Sequence, residues 1–369
     1  MNDITKFSIK LYKKIFKKQI LHKEKILMLN NFDPNSKSLI IFLIPSGDII
    51  GGGIMSICSI YTESQKLSTL HHSEVLVSKY PYDENILFNK FTKFNNNIYC
   101  YNFENVFQIF QNLDNLVIHI PEIAVKEFYL TYNLKWSISN KLWLKNIQNK
   151  HLNILNQNIK LMPDIIYVNK MKELFTKLTQ TTAHKKYSNI DIQNKFNLPL
   201  HHLSTFYNSS FYKKKPFNKK KSIIMVSPDY HPQKSTILNK LKVNLPDLQI
   251  VIVENMTYQE YKDLAADCMF SITFGEGLDG YFAEPLWSGG VSFAVFNEEF
   301  FTNNFKHMDT IYMNYKQMEN SICFDIIKFK NEYEYNKYNQ ILVNILNQDY
   351  SLDKYKNNIK QFYLGNYSF

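Results

Sequence analysis

The sequence predicts an α/β protein built from two doubly wound domains in tandem. Three observations lead to this prediction. Strand-like apolar runs alternate with helical patterns from residue 38 onwards. A basic segment around one proline, residues 207–221, interrupts the alternation, which then begins again. In addition, 369 residues with 45% hydrophobic side chains exceed what one core usually serves.

Residues 1–36 are predicted to form a basic amphipathic N-terminal segment. Apolar side chains recur at helical spacing from Ile4 to Phe16, and lysines fill many of the remaining positions. Such a helix can lie on an anionic membrane surface, for which residues 4–20 are the candidates. It can equally dock its apolar stripe on its own domain and leave the lysines in water.

The first domain is predicted to span residues 37–206. A continuous apolar run at 38–44 indicates a buried strand, and a glycine-rich turn connects it to a helix. Further strands are predicted at 74–78, 97–101, 115–120 and 164–168, and helices at 103–113, 122–131 and 139–157. This alternation favours a mostly parallel sheet.

The second domain is predicted to span residues 222–329, after the exposed linker 207–221. Its strands are predicted at 222–226, 248–253, 269–274 and 291–296, and its helices at 234–243, 257–266 and 281–288. Residues 330–369 are rich in Tyr, Asn and Lys and are predicted to be helical. Whether these C-terminal helices pack back on the first domain is left open.

The charge pattern argues against nucleic-acid binding. The formal net charge is +10, but all 43 basic residues are lysine. Because bidentate recognition of bases and phosphates is mostly performed by arginine, no nucleic-acid partner is expected. The excess of Lys, Asn, Ile, Tyr and Phe is typical of an AT-rich genome, so part of the basicity reflects codon usage.

The four cysteines point to a reducing compartment. Cys58, Cys100, Cys268 and Cys323 lie far apart without the spacing of a disulfide framework or a zinc site, so no metal site is predicted. No leader peptide is recognisable, and no window of about 18 apolar residues could span a bilayer. A cytoplasmic protein is expected, with peripheral attachment to the inner membrane left open.

Two glycine-rich turns follow strands, one in each predicted domain. They are the Gly51–Gly53 triplet and the segment FGEGLDG at 274–280. In open parallel sheets, ligands bind beyond the carboxyl ends of the strands, where helix N-termini present free N–H groups to anions. Two such edges facing each other would form one cleft. The second turn matches the dinucleotide spacing GxGxxG formally, but a lone match is weak.

Glu276 and Glu284 stand eight positions apart around the second turn. A carboxylate there can accept hydrogen bonds from neighbouring hydroxyls of a sugar or ribose. Alternatively, both acids simply favour the positive end of a helix.

The segment EGLDGYFAEPLWSG resembles the donor-binding motif of retaining GT-B glycosyltransferases, especially the family-4 type, whose common form is EGFGLPxxEAMAxG. Gly289 aligns with the glycine that ends the helix. The resemblance implies two Rossmann-like domains facing across a cleft. It also implies that Glu284 binds the ribose of the nucleotide and that Glu276 holds hydroxyls of the transferred sugar.

A second match follows the strand at 222–226. The segment VSPDYHPQKS at 226–235 resembles the family's phosphate-binding segment, with Lys234 in the place of the lysine that neutralises the diphosphate. Pro228 stands where the family has arginine, so His231 or a backbone nest would have to substitute. Lys234 could instead be one lysine of many on a solvated helix start.

The candidate donor site that the resemblance implies comprises residues of both domains. Its nucleotide-sugar ligands would be Gly52, Gly53, Ser227, His231, Lys234, Gly275, Glu276, Gly277, Leu278, Asp279, Gly280 and Glu284. Asp279, Gly280 and Tyr281, which depart from the Gly-Leu-Pro of the motif, are candidates for selecting the sugar.

The segment VIHIPEIAV at 117–125 resembles the strand-to-helix segment in which the family places a histidine beside the reacting sugar. His119 would be that residue, and Glu122 would lie in the acceptor cleft. A lone histidine ending an apolar strand can also be a structural group. His184 lies in a hydroxyl-rich stretch and either lines the cleft near the hinge or is a surface residue. His119, Glu276 and Lys234 are the catalytic candidates.

The resemblance implies a glycosyltransferase that moves a sugar from a nucleoside-diphosphate sugar to a glycan or lipid-linked glycan. No cofactor and no metal are expected. A hexosyl transfer in capsule or lipopolysaccharide synthesis of a bacterium is the expected setting. Two alternatives remain open: a nucleotide-sugar epimerase of the same fold, and a non-catalytic module that binds glycan or membrane in a polysaccharide-assembly complex.

Overall fold

The computed structural model describes residues 3–47, 52–90, 98–204 and 212–369, with side chains from residue 16 onwards. The chain divides into two compact units. The first comprises Met1–Ala183, Ser188–Thr205 and Asn357–Phe369, and the second comprises His184–Tyr187 and Phe206–Lys356.

The first unit is built on a seven-stranded parallel sheet. Its strands are β1 (Ser38–Ile44), β2 (Glu74–Lys79), β3 (Cys100–Tyr101), β4 (Asn115–Pro121), β5 (Asn149–Asn156), β6 (Lys177–Thr182) and β7 (Leu200–His202). They are ordered β3-β2-β1-β4-β5-β6-β7. The order reverses between β1 and β4, which makes their carboxyl ends the expected ligand edge of this sheet.

Eight helices precede the second unit in the described chain. They are α1 (Asp3–Asn31), α2 (Gly52–Gln65), α3 (Ser68–His71), α4 (Phe103–Ile109), α5 (Val125–Leu134), α6 (Ile138–Asn146), α7 (Ile165–Leu174) and α8 (Ile190–Phe196). The apolar run of β1 is buried, from Leu39 to Ile44. Burial on both faces explains why this strand reads as continuous rather than alternating.

Two predictions for the first unit are wrong. The predicted helix 139–157 is α6 followed by β5, and the predicted strand 164–168 is the start of α7. β5 lacks an apolar run because its buried Asn153 finds polar partners in the neighbouring strand: Thr179 donates to Asn153 Oδ1 at 2.8 Å. Asp164 caps α7, since its side chain accepts a hydrogen bond from the backbone N–H of Ile166.

The C-terminal half of α1 is fixed to the first unit by a buried carboxylate. Glu24 accepts hydrogen bonds from the backbone N–H of Asn102 at 2.7 Å and from the side chains of Asn102 at 2.8 Å and Asn105 at 2.9 Å. Met28, one turn further on, is in the core. α1 therefore docks on its own unit through its C-terminal half, where Lys17 also pairs with Glu104 and Leu21 O accepts a hydrogen bond from Asn105. The side chains of residues 4–15, most of the predicted membrane segment, lie outside the described residues.

The second unit has a five-stranded parallel sheet. Its strands are β8 (Lys221–Val226), β9 (Gln249–Ile252), β10 (Cys268–Ile272), β11 (Val291–Val295) and β12 (Ile311–Tyr312), ordered β12-β11-β10-β8-β9. Its helices are α9 (Lys234–Asn244), α10 (Tyr258–Asp267), α11 (Gly280–Trp287), α12 (Tyr315–Lys328) and α13 (Glu332–Tyr350). The strand order reverses between β8 and β10, so the ligand edge expected here follows those two strands.

The segment predicted as an exposed linker is partly structural. Tyr212 is buried and stacks on Trp287 of α11, with the ring centroids 6.2 Å apart. Lys215 forms an ion pair with Asp267 at the end of α10. Residues 207–211 of this segment lie outside the described residues. The C-terminal helix α14 (Leu352–Tyr363) follows α13, and its residues from Asn357 onwards belong to the first unit.

Candidate functional site

The carboxyl ends of β8 and β10 are joined at Ser227. Its backbone N–H donates to Ile272 O at 3.0 Å, and its hydroxyl accepts a hydrogen bond from the backbone N–H of Phe274 at 3.0 Å. The hydroxyl is fully buried. Ser227 therefore holds together the two predicted ligand loops, 227–234 and 274–280, at the point where the strand order reverses.

Lys234 begins α9 and folds back over the loop that precedes it. Its ammonium donates to Ser227 O at 2.6 Å and to Asp229 O at 2.9 Å. Burial lowers the pKa of this lysine, although Asp229 and Glu254 favour its charged form. The ammonium thus stands at the ligand edge, at the start of a helix, the end whose dipole favours an anion.

An aromatic stack borders this lysine. The ring of His231 lies 3.6 Å from that of Tyr315, with an interplanar angle of 23°, and Tyr315 lies 5.8 Å from Phe274. The Tyr315 hydroxyl donates to Phe274 O at 3.0 Å. Burial lowers the pKa of His231, which favours its neutral form. A flat apolar surface next to an ammonium is suited to a ring of a nucleotide or sugar.

Glu276 is the most accessible carboxylate of the predicted site, with 39% of its side chain exposed. Its Oε2 lies 3.9 Å from Nε2 of His184, a residue of the second unit. Burial lowers the pKa of His184 to about 4, so this histidine is neutral at pH 7 and the pair is not an ion pair there. His184 is buried, which corrects its interpretation as a surface residue.

Gly277 occupies a conformation that requires glycine. Its φ is +88°, and a Cβ atom would lie 2.5 Å from Phe301 Cε2 and 3.0 Å from Val295 O. The ligand loop therefore packs closely on the end of β11 at Gly277. The next residue of the loop, Leu278, is buried.

Replacing Gly277 by alanine is expected to lower the free energy of unfolding by about 2 kcal/mol or more, because backbone strain and a steric clash add. Gly365→Ala is the matched control: its φ is +78° with no atom within 4 Å of the added Cβ. It should cost only the backbone term, about 1 kcal/mol. Urea unfolding of both variants measures the difference, and equal costs would contradict the contact with Phe301.

Asp279 serves as the N-cap of α11. Its Oδ1 accepts a hydrogen bond from the backbone N–H of Phe282 at 3.0 Å, and its Oδ2 accepts one from the Thr273 hydroxyl at 2.7 Å. Burial, together with the nearby carboxylates Asp229 and Glu276, raises its pKa to about 7. Its visible contacts are those of a cap; its role in sugar selection stays a prediction.

Glu284 lies inside α11 and is almost completely buried among tyrosines. Burial raises its pKa to about 8, and the hydroxyls of Tyr261 and Tyr212 offset only part of this rise. Its Oε2 has no hydrogen-bond partner among the residues that the structure describes. Tyr261 donates instead to Gly280 O at 3.2 Å. Glu284 is thus a buried neutral acid at pH 7, whereas Glu276 faces solvent.

Asp229 is a residue of this edge that the sequence analysis did not single out. A Cβ atom on Gly275 would lie 2.8 Å from Asp229 Cγ, so the aspartate packs against the start of the second ligand loop. Its position directly after β8 is the signal that could have identified it. It adds a negative charge where the resemblance implies a diphosphate.

In the first unit, the ligand edge after β1 and β4 holds Gly53 and Glu122. Gly53 is in close contact with Gln157, which follows β5. Glu122 is buried, and its Oε1 accepts a hydrogen bond from the backbone N–H of Asn158 at 3.1 Å. Burial raises the pKa of Glu122. Gly52 begins α2, and Gly51 lies outside the described residues.

His119 lies within β4 and is completely buried. Its ring stacks on Phe42 with the centroids 4.4 Å apart, Nε2 is 3.2 Å from the Tyr363 hydroxyl, and Nδ1 is 3.1 Å from Asn153 Nδ2. Burial holds its pKa well below the usual range. These contacts are those of a packed structural histidine; its placement beside a reacting sugar stays a prediction.

Among the described residues, no three His, Cys, Asp or Glu side chains are grouped so that they could hold a metal ion. None of the helices there is long and apolar enough to cross a membrane.

The sequence matches no family model and no curated protein. The fold, however, resembles that of several solved structures. Among similar solved structures, HepE from Anabaena in complex with UDP and glucose has a TM-score of 0.57 at 11% identity, covering 89% of this chain and 100% of that one. TarM has a TM-score of 0.55 at 10% identity, with 89% and 100% covered.

Sucrose-phosphate synthase from Thermosynechococcus elongatus has a TM-score of 0.52 at 9% identity, with 89% of this chain and 98% of that chain covered. At such low identity, a structural match establishes architecture alone. The likeness spans both parallel sheets and confirms the fold class predicted from the sequence: the chain has the GT-B fold, with two Rossmann-like units.

Proposed function

We propose that this protein is a glycosyltransferase that moves a sugar from a nucleoside-diphosphate sugar to a glycan or lipid-linked glycan. The observation that carries the proposal is the convergence of Lys234 and Glu276 on the reversal point of the second sheet, where Ser227 joins their loops. Structural neighbours in complex with UDP, or with UDP-glucose, support it.

In this proposal, the donor's diphosphate lies against Lys234 and the N-terminus of α9. The ammonium and the N–H groups would stabilise the charge that develops as the bond to the anomeric carbon breaks. Glu276 would accept hydrogen bonds from hydroxyls of the sugar, since it is the accessible carboxylate of the loop. Glu284 is buried, so it would contact the ribose only if ligand binding exposed its carboxyl group.

Finer aspects of the proposal rest on the resemblance to the retaining family-4 type. These are retention of the anomeric configuration, independence from metal, an acceptor near Glu122, a catalytic role of His119, and a place in capsule or lipopolysaccharide synthesis. Retention would be tested by the anomeric configuration of the product, and metal independence by activity in the presence of a chelator.

Binding of UDP, GDP, dTDP, ADP and CMP, measured by thermal shift, tests the donor site. We expect one nucleoside diphosphate to stabilise the wild type, and Lys234→Met to weaken its binding about tenfold or more, because a charged hydrogen-bond donor is removed. Lys242→Met, on the exposed face of the same helix, is the control and should bind like the wild type.

Two further variants separate the roles of the glutamates. Glu276→Gln should bind the nucleoside diphosphate normally but lose transfer of the sugar, whereas exposed Glu298→Gln should change neither. If no nucleotide stabilises the protein, or if Lys234→Met and Lys242→Met behave alike, the donor site is assigned wrongly.

Three observations favour a second candidate function, a non-catalytic glycan-binding module. Lys234 already donates to two backbone carbonyls, Pro228 replaces the expected arginine, and Asp229 adds a negative charge beside Gly275. All three weaken a diphosphate site. Calorimetry distinguishes the two functions: glycan binding without nucleotide binding would favour the module.

A further inference from the structure

Helices α5, α6 and α7 of the first unit, with the short turns before α5 and α7, carry an unusual number of exposed aliphatic side chains. These are Ile123, Leu130, Leu134, Ile138, Leu142, Leu161, Ile165 and Ile166. Leu134 and Ile138 are each 80% exposed. Isolated surface leucines need no explanation, but a set this dense marks an interaction surface. We call these eight residues, with their flanking lysines, the aliphatic surface.

Side-chain contacts link α5 to both α6 and α7. The Lys141 ammonium of α6 donates to Asn133 O of α5 at 3.0 Å. The rings of Tyr129 in α5 and Tyr167 in α7 lie 6.1 Å apart, and Lys126 covers the Tyr167 ring at 5.5 Å. On α5, Leu130 and Leu134 are four residues apart, which places them on one face, and Ile123 lies in the turn just before this helix.

The surface reaches the ligand edge of the first sheet. Ile123 directly follows Glu122 at the end of β4, and Leu161 lies in the turn after β5. The hydrogen bond from Asn158 N to Glu122 Oε1, 3.1 Å long, ties these two turns together. One end of the aliphatic surface is therefore beside the predicted acceptor residue.

The charges around the surface favour an anionic partner. Residues 122–174 contain eight lysines and four carboxylates, and of the four Glu122 is buried. Lys126, Lys135, Lys145 and Lys160 are exposed among the aliphatic side chains. Apolar side chains interspersed with flexible lysines suit the headgroup region of a bilayer, where the ammonium groups reach anionic lipids and the stems stay in apolar surroundings.

We propose that the aliphatic surface of α5–α7 docks the protein on an anionic membrane. This site differs from residues 4–20, and it would bring the ligand edge of the first unit next to lipid. Its occupant is a bilayer rather than a protein, because the lysines are spread over all three helices instead of facing one complementary acidic patch.

Vesicle co-sedimentation of the whole protein tests the proposal. We expect binding to vesicles of phosphatidylcholine with phosphatidylglycerol, and weaker binding to pure phosphatidylcholine. Leu134→Ser with Ile138→Ser, and separately Leu161→Ser with Ile166→Ser, should each reduce partitioning about tenfold or more. The control pair Val243→Ser with Phe324→Ser removes side chains that are 78% and 72% exposed in the second unit. It should bind like the wild type.

A single added tryptophan provides an independent readout that loss of folding cannot imitate. Emission of Leu134→Trp should shift to the blue and be quenched by brominated lipid in the mixed vesicles, whereas Val243→Trp should show neither effect. Absence of vesicle binding overturns the proposal and points to a protein partner. Binding that survives both serine pairs, or falls equally in the control pair, also overturns it.

Discussion

Glu284→Gln is expected to stabilise the protein at neutral and alkaline pH, by roughly 2–3 kcal/mol at pH 7. The pKa of Glu284 is raised from 4.5 to about 8 by burial. The unfolded state therefore releases this proton at a lower pH than the folded state does. Stability is lost as the pH rises from about 4.5 through 8, and glutamine, which cannot ionise, removes this loss.

Urea unfolding at pH 5 and pH 8 measures the effect. At pH 5 the two proteins should differ by less than about 1 kcal/mol, because this pH is close to 4.5, the pKa that the carboxyl group has in the unfolded chain. Exposed Glu298→Gln is the control and should change stability by less than about 0.5 kcal/mol at either pH. Parallel pH profiles for wild type and Glu284→Gln would show that the carboxyl group is ionised in the fold.

Protonation of its histidines should destabilise the first unit as the pH falls from 7 to 4, with about 3 kcal/mol expected from His151 alone. Burial lowers the pKa values of His119, His151 and His201, that of His151 to about 3. The unfolded chain binds protons at these histidines below about pH 6.5, while the folded unit does not. The stability they contribute is present above that pH and is lost as the pH falls.

His151→Asn isolates one member of this group. At pH 5, a histidine that the fold keeps neutral costs about 2 kcal/mol relative to pH 7, so the variant should lose less stability between these two pH values than the wild type. The exposed His307→Asn serves as the control. If His151→Asn and the control show the same pH dependence as the wild type, protonation of His151 does not drive the acid transition.

The sequence predicted the second sheet better than the first. β8, β10 and β11 are apolar runs bounded by turn residues, and each was predicted to within two residues. In the first unit, Asn153 of β5 and Thr179 and Thr181 of β6 are buried but hydrogen-bonded to each other, so no apolar run marks either strand. Apolar periodicity cannot predict strands of this kind, because each buried polar side chain is stable only when its hydrogen-bond partner is present on the neighbouring strand.

The candidate site was predicted from the positions of its residues along the chain, not from how buried or charged their surroundings are. Positions after strands correctly indicated which loops meet at Ser227, since parallel strands bring their carboxyl ends to one edge. Burial could not be predicted in the same way. Glu276 and Glu284 look equivalent in the motif, yet Glu276 is half-buried whereas Glu284 is buried among tyrosines of the linker and of α10.

The C-terminal end of α14 belongs to the first unit, so that unit can be completed only after the second unit has been synthesised. Phe362 and Tyr363 pack on His119 of the first sheet, and the Tyr363 hydroxyl donates to Ser64 at 2.8 Å. These residues follow the whole second unit along the chain. On the ribosome, the first sheet would therefore wait with His119 and its polar neighbours uncovered until the second unit had emerged.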